Sequence, residues 1–529
     1  MKLTGEQLIG STFSKKGSKR FKAVNPAKGE PLEPFYYEAA VDEVERAFGL
    51  AQEAFWIYRR KPPAQKAVFL ERIAEEILAL GEVLIQRCMA ETALPEARLT
   101  GERGRTINQL KLFAQVLREG SWVEARIDTG LPHRQPVPKP DIRQMLIPLG
   151  PVGIFGASNF PLAFSVAGGD TVSALAAGCP AVVKAHPAHP GTSEMVGRAV
   201  LKAAQETGMP EGIFSLLHGQ ANDVGMAMVN HPLAKAIGFT GSFKGGKAIY
   251  DAAACRPVPV PVYAEMGSTN PVFLLPEAVA ERGDTTAGGL AASVTLGVGQ
   301  FCTNPGLIFL IQSGESDDFI KRTAGTLAGI SSASMLTDKI KASYDAGIET
   351  IRKIEGVEVI AKGKAVNGGC QGVPYLLQSS AAEFLKNPQM AEEVFGPSTI
   401  IITAADKEQL LEVASSLTGH LTATVHCTPK ELEGYTDLVS LLETKVGRLI
   451  INGFPTGVEV CPSMHHGGPF PATTDLRTTS VGTAAIKRFA RPVCFQDFPQ
   501  TVLPHELKDE NPLNIFRLIN GNWTKDKIP

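Results

Sequence analysis

The chain has 529 residues, more than one hydrophobic core usually spans, so we predict two large domains with smaller additions. Its 52 Lys plus Arg and 54 Asp plus Glu give a formal net charge of −2, and the dispersed basic residues argue against a nucleic-acid partner. A composition that is 44% hydrophobic and 20% charged also argues against disorder.

The cysteines and the apolar segments indicate the compartment. The polar N-terminus does not resemble a secretory signal, and polar residues interrupt the longest apolar stretch, 151–169. We therefore expect no membrane contact. The eight cysteines show neither paired nor zinc-like spacing, so we expect reduced thiols, no metal site and a cytoplasmic location. They are Cys88, Cys179, Cys255, Cys302, Cys370, Cys427, Cys461 and Cys494.

Helical periodicity opens the chain. Apolar residues recur at helical spacing over 41–58 and 67–81, and 101–119 also has the pattern of a helix. Prolines between 132 and 140 then exclude a continuing helix.

The region 145–267 alternates short β-branched runs with helical patterns. This alternation predicts right-handed βαβ units and a parallel sheet, an architecture that often binds nucleotides. The predicted strands are 152–157, 181–185, 214–219, 236–240 and 262–266, with helices near 171–177, 192–206, 222–230 and 243–254.

A second alternating set begins near residue 271 and continues past residue 446. It predicts a second α/β domain, with strands at 271–275, 307–311, 399–403 and 447–451. The polar tail after residue 499 is expected to be an extension lying over a surface.

Three separate segments place reactive side chains beside strands. Cys302 follows Gly297-Val-Gly-Gln-Phe in a loop that enters a strand, although a single free cysteine is more often a small buried hydrophobe. Glu265 ends an apolar strand immediately before a glycine. A carboxylate in this position is either a general base or a hydrogen-bond partner of a backbone amide. Asn159 follows another strand and could equally cap the next helix.

Together these segments strongly resemble the aldehyde dehydrogenase superfamily. The likeness covers nearly the whole chain and includes the Asn159-Phe-Pro turn and the Gly-Gln-Phe-Cys302 loop. Further matching segments are Val183-Lys184, Phe239-Thr-Gly241-Ser242 and Glu392-Glu393-Val-Phe395-Gly-Pro397. Two segments depart from the family pattern: Glu265-Met-Gly-Ser replaces Glu-Leu-Gly-Gly, and His465-His-Gly-Gly-Pro-Phe-Pro-Ala-Thr-Thr replaces Pro-Phe-Gly-Gly.

The resemblance implies the roles of the reacting groups. Cys302 attacks the aldehyde carbon as a thiolate, while the Asn159 amide and the Cys302 backbone N–H hold the oxyanion. Hydride leaves for a nicotinamide, giving a thioester. Glu265 then activates the water that hydrolyses the thioester. This step requires a base whose pKa lies near neutral pH, and desolvation can raise the pKa of a carboxylate to that range.

The resemblance also assigns the cofactor residues. The turn that closes one strand and opens a helix is expected to meet the pyrophosphate, through Thr240, Gly241, Ser242 and Gly246. Lys184 is expected at the adenosine ribose, Glu393 at the nicotinamide ribose and Phe395 beside the nicotinamide. Outside this context, such charges are usually solvated and glycines at βα turns are often structural.

The choice between NAD and NADP depends on charge at the adenosine ribose. No acidic residue follows Lys184 until Glu194, so no carboxylate is expected to repel a 2′-phosphate. We predict that NADP is preferred, with NAD possible, and that Lys184 and His186 contact the phosphate. His186 is equally consistent with an ordinary loop histidine.

Segments 160–170 and 183–194 look like the branch that contains α-ketoglutaric semialdehyde (2,5-dioxopentanoate) dehydrogenases. An anionic keto acid needs cationic or amide donors in its pocket, whereas a fatty chain needs an apolar tunnel. We predict a carboxylate contact by Arg105, on the same helix as Gln109; a surface arginine is the alternative. The expected pocket wall is Phe160, Phe164, Pro455 and Thr456.

Three other functions are weighed against this one. A sibling group of the branch oxidises long-chain fatty aldehydes with NADP. An acylating enzyme would pass the acyl group to coenzyme A, but Glu265 argues against that. A catalytically idle scaffold of the same fold is disfavoured by the joint presence of Cys302, Glu265 and Asn159.

The resemblance implies a Rossmann-type cofactor domain, an α/β catalytic domain and a small β flap for oligomerisation. We expect residues 1–123 and 147–267 in the first, 268–480 in the second and 124–146 with 481–500 in the flap, followed by the C-terminal extension 501–529. Related enzymes pair through such a ribbon, so we expect a homodimer or homotetramer.

Overall fold

The computed structural model describes residues 2–528, and two seven-stranded sheets organise it. Five parallel strands form most of the first sheet, and all five were predicted, with ends one or two residues shorter in four of them. Two short antiparallel strands near the N-terminus extend it. In spatial order the strands are Val262–Glu265, Ala236–Thr240, Val152–Phe155, Ala181–Lys184, Phe214–Leu217, Gln7–Ile9 and Thr12–Ser14.

Helices cover both faces of this sheet. The predicted helix over 67–81 instead begins at Pro63, whose fixed φ suits the first helical position. Gly81, at a φ of 55°, then turns the chain into a helix that the pattern did not predict, Gly81–Thr92. The helices are Val41–Tyr58, Pro63–Ala79, Gly81–Thr92, Glu96–Glu119, Gly169–Ala177, Pro190–Glu206, Asn222–Asn230 and Phe243–Ala254.

The second sheet is parallel except for one edge strand, Glu358–Lys362, which pairs antiparallel. Four of its strands were predicted. His420–His426 was not, because its buried residues include threonines and histidines that give no apolar run. In spatial order the strands are Glu358–Lys362, Tyr375–Ser380, Ser398–Ala404, Leu307–Ile311, Val272–Leu274, His420–His426 and Val446–Ile451.

Helices also surround the second sheet, whose core is separate from that of the first. They are Pro276–Thr295, Gly314–Ala328, Asp338–Ile351, Ala381–Lys386, Lys407–Ser416, Pro429–Glu433 and Thr436–Glu443. Short 3₁₀ turns occur at Ser121–Val123, Leu296–Gly299, Pro388–Ala391, Thr483–Phe489 and His505–Leu507. None of the helices described between residues 2 and 528 is both long enough and apolar enough to cross a bilayer.

A third sheet of five strands combines the predicted flap with the C-terminal tail. The tail does more than lie over a surface, since it supplies two of the strands. Arg517 is fully buried and donates to the Asp526 carbonyl at 2.9 Å, which fixes the tail against the sheet. In spatial order the strands are Ala490–Gln496, Ile142–Pro148, Arg126–Asp128, Arg517–Ile519 and Asn522–Thr524. Two small ribbons pair Arg20–Asn25 with Glu30–Tyr37 and Ala333–Ser334 with Gln371–Gly372.

Candidate active site

The structure brings the three predicted catalytic residues to one cavity. Asn159 lies beyond the carboxyl end of Val152–Phe155, Glu265 is the last residue of its strand, and Cys302 lies in the loop before Leu307–Ile311. All three line the same cavity, whose volume is about 1030 Å³. Parallel strands present their carboxyl ends at one edge of a sheet, which explains why residues far apart in sequence meet here.

The Cys302 loop is held by backbone contacts. The Asn270 side chain donates to the Cys302 carbonyl at 2.8 Å and to the Asn304 carbonyl at 2.9 Å. Gly299 has a φ of 64°, and a Cβ there would lie 2.2 Å from the Gly396 backbone. Only glycine fits this position, so the glycines before Cys302 shape the loop that presents the thiol.

Asn159 is positioned by the helix Glu96–Glu119. Arg98 donates to the Asn159 carbonyl at 2.6 Å, and the Glu102 carboxylate accepts from the backbone N–H groups of Leu162 and Ala163. The Asn159 amide donates to the Gln300 carbonyl at 3.0 Å. The amide therefore faces the Cys302 loop, and this arrangement departs from a simple helix cap.

His466 joins the site, although no role was predicted for it. Its Nε2 lies 3.5 Å from Cys302 Sγ and 3.1 Å from Glu265 Oε1. The Ser480 hydroxyl donates to the other Glu265 oxygen at 2.5 Å. The signal was present in the departure from the family pattern, where two adjacent histidines begin the segment that replaces Pro-Phe-Gly-Gly. A thiol, an imidazole and a carboxylate at hydrogen-bonding distance are typical of an activated nucleophile.

Burial raises the pKa of both the Cys302 thiol and the Glu265 carboxyl group, but their neighbours shift the two pKa values in opposite directions. Burial raises the pKa of Cys302 well above its usual value, the Glu265 charge raises it further, and Arg105 opposes both. Burial would also raise the pKa of Glu265, but the charge of His466 and hydrogen bonds from His466 and Ser480 outweigh it, so this pKa is lowered. Glu265 is therefore ionised at neutral pH, and the expected rise of its pKa by desolvation does not occur.

The predicted cofactor residues follow the same cavity. It is lined by Lys184, His186, Thr240, Gly241, Ser242, Glu393 and Phe395. Ser242 caps the helix Phe243–Ala254 by accepting from the Gly245 N–H at 3.3 Å, so the N-terminus of this helix opens toward the cavity. Gly246 instead packs under the turn, where a Cβ would lie 2.6 Å from Met266. Its role in this arrangement is to let the helix approach the strand end.

Lys184 and His186 differ in charge. Lys184 Nζ donates to the Gly219 carbonyl at 2.8 Å, and burial lowers its pKa to about 8, so it remains mostly protonated at pH 7. Burial, with the charges of His189 and Lys184, holds the pKa of His186 well below its usual value. His186 is therefore neutral, with Nδ1 accepting from the Ala188 N–H at 3.2 Å. Lys184 is the cation of this pair.

The predicted substrate residues divide into two groups. Phe160 and Phe164 line the cavity, with ring centroids 5.3 Å apart, and the Arg105 guanidinium lies 5.8 Å and 5.2 Å from them. Arg105 Nε and Nη2 are buried without a hydrogen-bond partner among residues 2–528. Arg105 is thus a half-buried cation with two free donors that packs on the two phenylalanines, and it is not itself among the residues that line the cavity.

The other three predicted substrate residues make contacts away from the cavity lining. Gln109 is buried, and its Nε2 has no partner within the described part of the chain. The Pro455 carbonyl accepts from Arg448 at 2.9 Å, and the Thr456 hydroxyl lies 2.5 Å from that of Ser293. None of the three is among the residues that line the cavity.

The chain is similar to known proteins over nearly its whole length. Residues 13–469 match the model of the aldehyde dehydrogenase family. The chain is 51% identical over 522 residues to alpha-ketoglutaric semialdehyde dehydrogenase 2 of Azospirillum brasilense, covering 98% of this chain and 99% of that protein. It is 46% identical over 523 residues to alpha-ketoglutaric semialdehyde dehydrogenase of Acinetobacter baylyi, covering 99% of each.

Solved structures share the fold. Betaine aldehyde dehydrogenase of Staphylococcus aureus in complex with NAD⁺ superposes with a TM-score of 0.80 at 19% identity, over 94% of this chain and 96% of that one. A mutant of aldehyde dehydrogenase C of Pseudomonas syringae, in complex with NAD⁺ and octanal, superposes with a TM-score of 0.79 at 20% identity, over 93% of this chain and 97% of that one. The match of residues 13–469 to the family model and the identity with the two relatives lead to one conclusion: the chain belongs to the aldehyde dehydrogenase family.

Proposed function

We propose that this enzyme oxidises 2,5-dioxopentanoate to 2-oxoglutarate with NADP as the preferred acceptor. The observation that carries the substrate is Arg105, a half-buried cation whose Nε and Nη2 have no hydrogen-bond partner among residues 2–528 and which packs on Phe160 and Phe164 of the cavity that holds Cys302. The two relatives above, named for α-ketoglutaric semialdehyde, support the same substrate.

The physical reason lies in the cost of a buried charge. A half-buried cation without a partner is partly desolvated, which is unfavourable, and an incoming carboxylate compensates it through charge-assisted hydrogen bonds. Arg105 lies over Phe160 and Phe164, which form an apolar wall for the carbon chain. An acidic aldehyde therefore gains both contacts, whereas a fatty aldehyde leaves Arg105 uncompensated.

The chain's own groups divide the reaction into two stages. Cys302 Sγ attacks the aldehyde carbon, and Asn159 Nδ2 and the Cys302 backbone N–H stabilise the oxyanion. Bound NADP supplies the hydride acceptor. Glu265, ionised and 2% exposed, then takes a proton from the water that hydrolyses the thioester. Glu265 favours hydrolysis over transfer to coenzyme A.

The aldehyde specificity is tested with a panel of substrates. We expect kcat/KM for 2,5-dioxopentanoate to exceed that for decanal by at least about 100-fold, because two hydrogen bonds to a charged group contribute ~1.5–3 kcal/mol each. Initial rates of NADPH formation at matched cofactor concentration measure this. A preference for decanal would replace the proposal with a fatty aldehyde dehydrogenase, and no activity on any aldehyde would support a scaffold.

The cofactor residues support NADP. Ser242 and the N-terminus of Phe243–Ala254 suit the pyrophosphate, Glu393 and Phe395 line the nicotinamide end, and Lys184 is the cation at the adenosine end. His186 offers a neutral N–H only, so the 2′-phosphate contact rests on Lys184.

Replacing Lys184 with Met tests this assignment. We expect KM for NADP to rise about 10- to 100-fold, because one charge-assisted hydrogen bond to phosphate contributes ~1.5–3 kcal/mol. KM for NAD should rise less, since NAD lacks the 2′-phosphate. The measurement is kcat/KM with each cofactor for both proteins. Equal losses with both cofactors, or a wild-type preference for NAD, would contradict the proposal.

We also propose a homodimer or homotetramer that assembles through the third sheet, and a cytoplasmic location. The edge strand Ala490–Gln496 has exposed residues and an open side for pairing with another chain. All eight cysteines are free, which suits a reducing compartment.

A further inference from the structure

Cys302, Glu265 and His466 bring together three kinds of side chain that bind metal ions. One donor atom from each lies within 4.8 Å of the other two. His466 Nε2 is 3.5 Å from Cys302 Sγ and 3.1 Å from Glu265 Oε1. We propose that these three side chains form a binding site for a borderline-soft divalent cation, Zn²⁺, which holds the enzyme in a reversibly inhibited state.

The chemistry and spacing of the donors favour zinc. Thiolate, imidazole and carboxylate are the groups that bind Zn²⁺ in proteins, whereas Mg²⁺ takes oxygen ligands. In a tetrahedral zinc site with bonds of about 2.0–2.3 Å, neighbouring donor atoms are about 3.3–3.6 Å apart. The two distances from His466 Nε2 are close to this spacing, so only small side-chain movements are needed to place the ion among the donors.

Charge in the cluster also suits a divalent cation. The Cys302 thiolate and the ionised Glu265 carboxylate supply two negative charges, so their complex with Zn²⁺ and a neutral His466 has no net charge. Neutrality matters because Glu265 and His466 are 2% and 1% exposed, and an uncompensated charge is unfavourable in such a site. Of the other charged groups that act on the thiol, Arg105 opposes a cation and Glu393 favours one.

The site is open to the cavity and partly held by outer contacts. Cys302 and Glu265 line the cavity, so an ion can reach them and a water molecule can supply the fourth ligand. Ser480 donates to the second Glu265 oxygen at 2.5 Å, and such hydrogen bonds orient metal ligands. His466 Nδ1 has no partner among residues 2–528. A histidine that binds metal usually donates from its other nitrogen, so we expect zinc to bind reversibly here.

Zinc replaces two hydrogens of the metal-free cluster. Before binding, the His466 Nε2–H donates to Glu265 Oε1, and the Cys302 thiol is in hydrogen-bond contact with the same carboxylate. On binding, the S–H bond breaks and its proton leaves to solvent, while the imidazole moves its hydrogen from Nε2 to Nδ1 and stays neutral. One Zn–S, one Zn–N and one Zn–O bond form, and zinc remains divalent.

Zinc in this position blocks both stages of the reaction, a consequence that rests on the proposed aldehyde oxidation. The bound Cys302 sulfur does not attack the aldehyde carbon, and the bound Glu265 carboxylate does not take a proton from water. Cysteine spacing along the chain predicted no metal site. The fold assembles one because it brings His466 to Cys302, 164 residues away, and to Glu265, 201 residues away.

Protection of Cys302 from alkylation tests the site without any aldehyde. The full-length reduced enzyme reacts with iodoacetamide at neutral pH over a series of ZnCl₂ concentrations, and peptide mass spectrometry gives the rate at Cys302 alone. At about ten times the half-protecting Zn²⁺ concentration we expect this rate to fall roughly tenfold, because only the metal-free fraction reacts. EDTA should restore the rate, and MgCl₂ should not lower it.

His466→Phe and Glu265→Gln each remove one ligand. Phenylalanine stands in the place of His466 in the family's Pro-Phe-Gly-Gly segment, so this substitution suits the fold. In both variants we expect the half-protecting Zn²⁺ concentration to rise at least about 100-fold, because loss of even an outer partner costs about 10- to 100-fold in affinity. His465→Ala is the matched control, since this neighbour is not one of the three donors, and its half-protecting concentration should equal that of the wild type.

Two outcomes would overturn the site. The first is wild-type Cys302 alkylation that Zn²⁺ does not slow, a result that needs no variant to fold. The second is an equal half-protecting concentration in the wild type, His466→Phe and Glu265→Gln, which would place zinc on the thiol alone. Neither outcome changes the result of the aldehyde panel, which tests the proposed function separately.

Discussion

Glu265→Gln should form one equivalent of NADPH per active site in a rapid burst and then turn over about 10² to 10⁴ times more slowly than the wild type, the range expected for loss of a general base. The burst should survive because attack by Cys302 and hydride transfer do not use the Glu265 carboxylate. Hydrolysis should fail because the amide cannot take the proton of the attacking water. The thioester then accumulates on Cys302.

Stopped-flow absorbance of NADPH gives both the burst and the steady state, and intact-protein mass spectrometry detects the acyl adduct. Cys302→Ser serves as the control and should give no burst. Steady-state turnover of Glu265→Gln within threefold of the wild type would show that another group activates the water. Loss of the burst together with turnover would place Glu265 in acylation instead.

Arg105→Met should raise KM for 2,5-dioxopentanoate by about 10² or more, because two charge-assisted hydrogen bonds contribute ~1.5–3 kcal/mol each. Methionine keeps an apolar stem against Phe160 and Phe164 while removing the guanidinium. Pentanal, which has the same chain length and no carboxylate, should keep its kcat/KM within about threefold.

Arg103→Ala provides a matched variant on the same helix, because Arg103 donates to the Gly81 carbonyl at 2.8 Å and has no contact with the phenylalanine wall. Its kinetics should equal those of the wild type with both substrates. A loss of the same size for pentanal and 2,5-dioxopentanoate in Arg105→Met would indicate a structural role for the arginine. An unchanged KM for the keto acid would remove the main support for an acidic substrate.

Local sequence patterns predicted most of the parallel architecture. Strands such as Ala236–Thr240 and helices such as Val41–Tyr58 have the periodicity that burial on one or both faces requires. Prediction failed where the buried residues were polar, as in His420–His426, and where a second helix follows the first without a loop, as after Gly81. The tail strands Arg517–Ile519 and Asn522–Thr524 were missed because short polar strands carry no distinctive period.

By itself the sequence determined the family and the alternation of strands and helices, and it named Cys302, Glu265 and Asn159 as candidates that the fold brings to one cavity. These depend on local pattern and on motifs that can be read in order along the chain. Only the tertiary structure decided which groups touch. His466 lies 164 residues from Cys302 and 201 from Glu265, and no local periodicity encodes that approach. Within residues 2–528 the fold also leaves two buried guanidinium nitrogens of Arg105 without a partner, since burial and hydrogen bonding are properties of packing between distant segments.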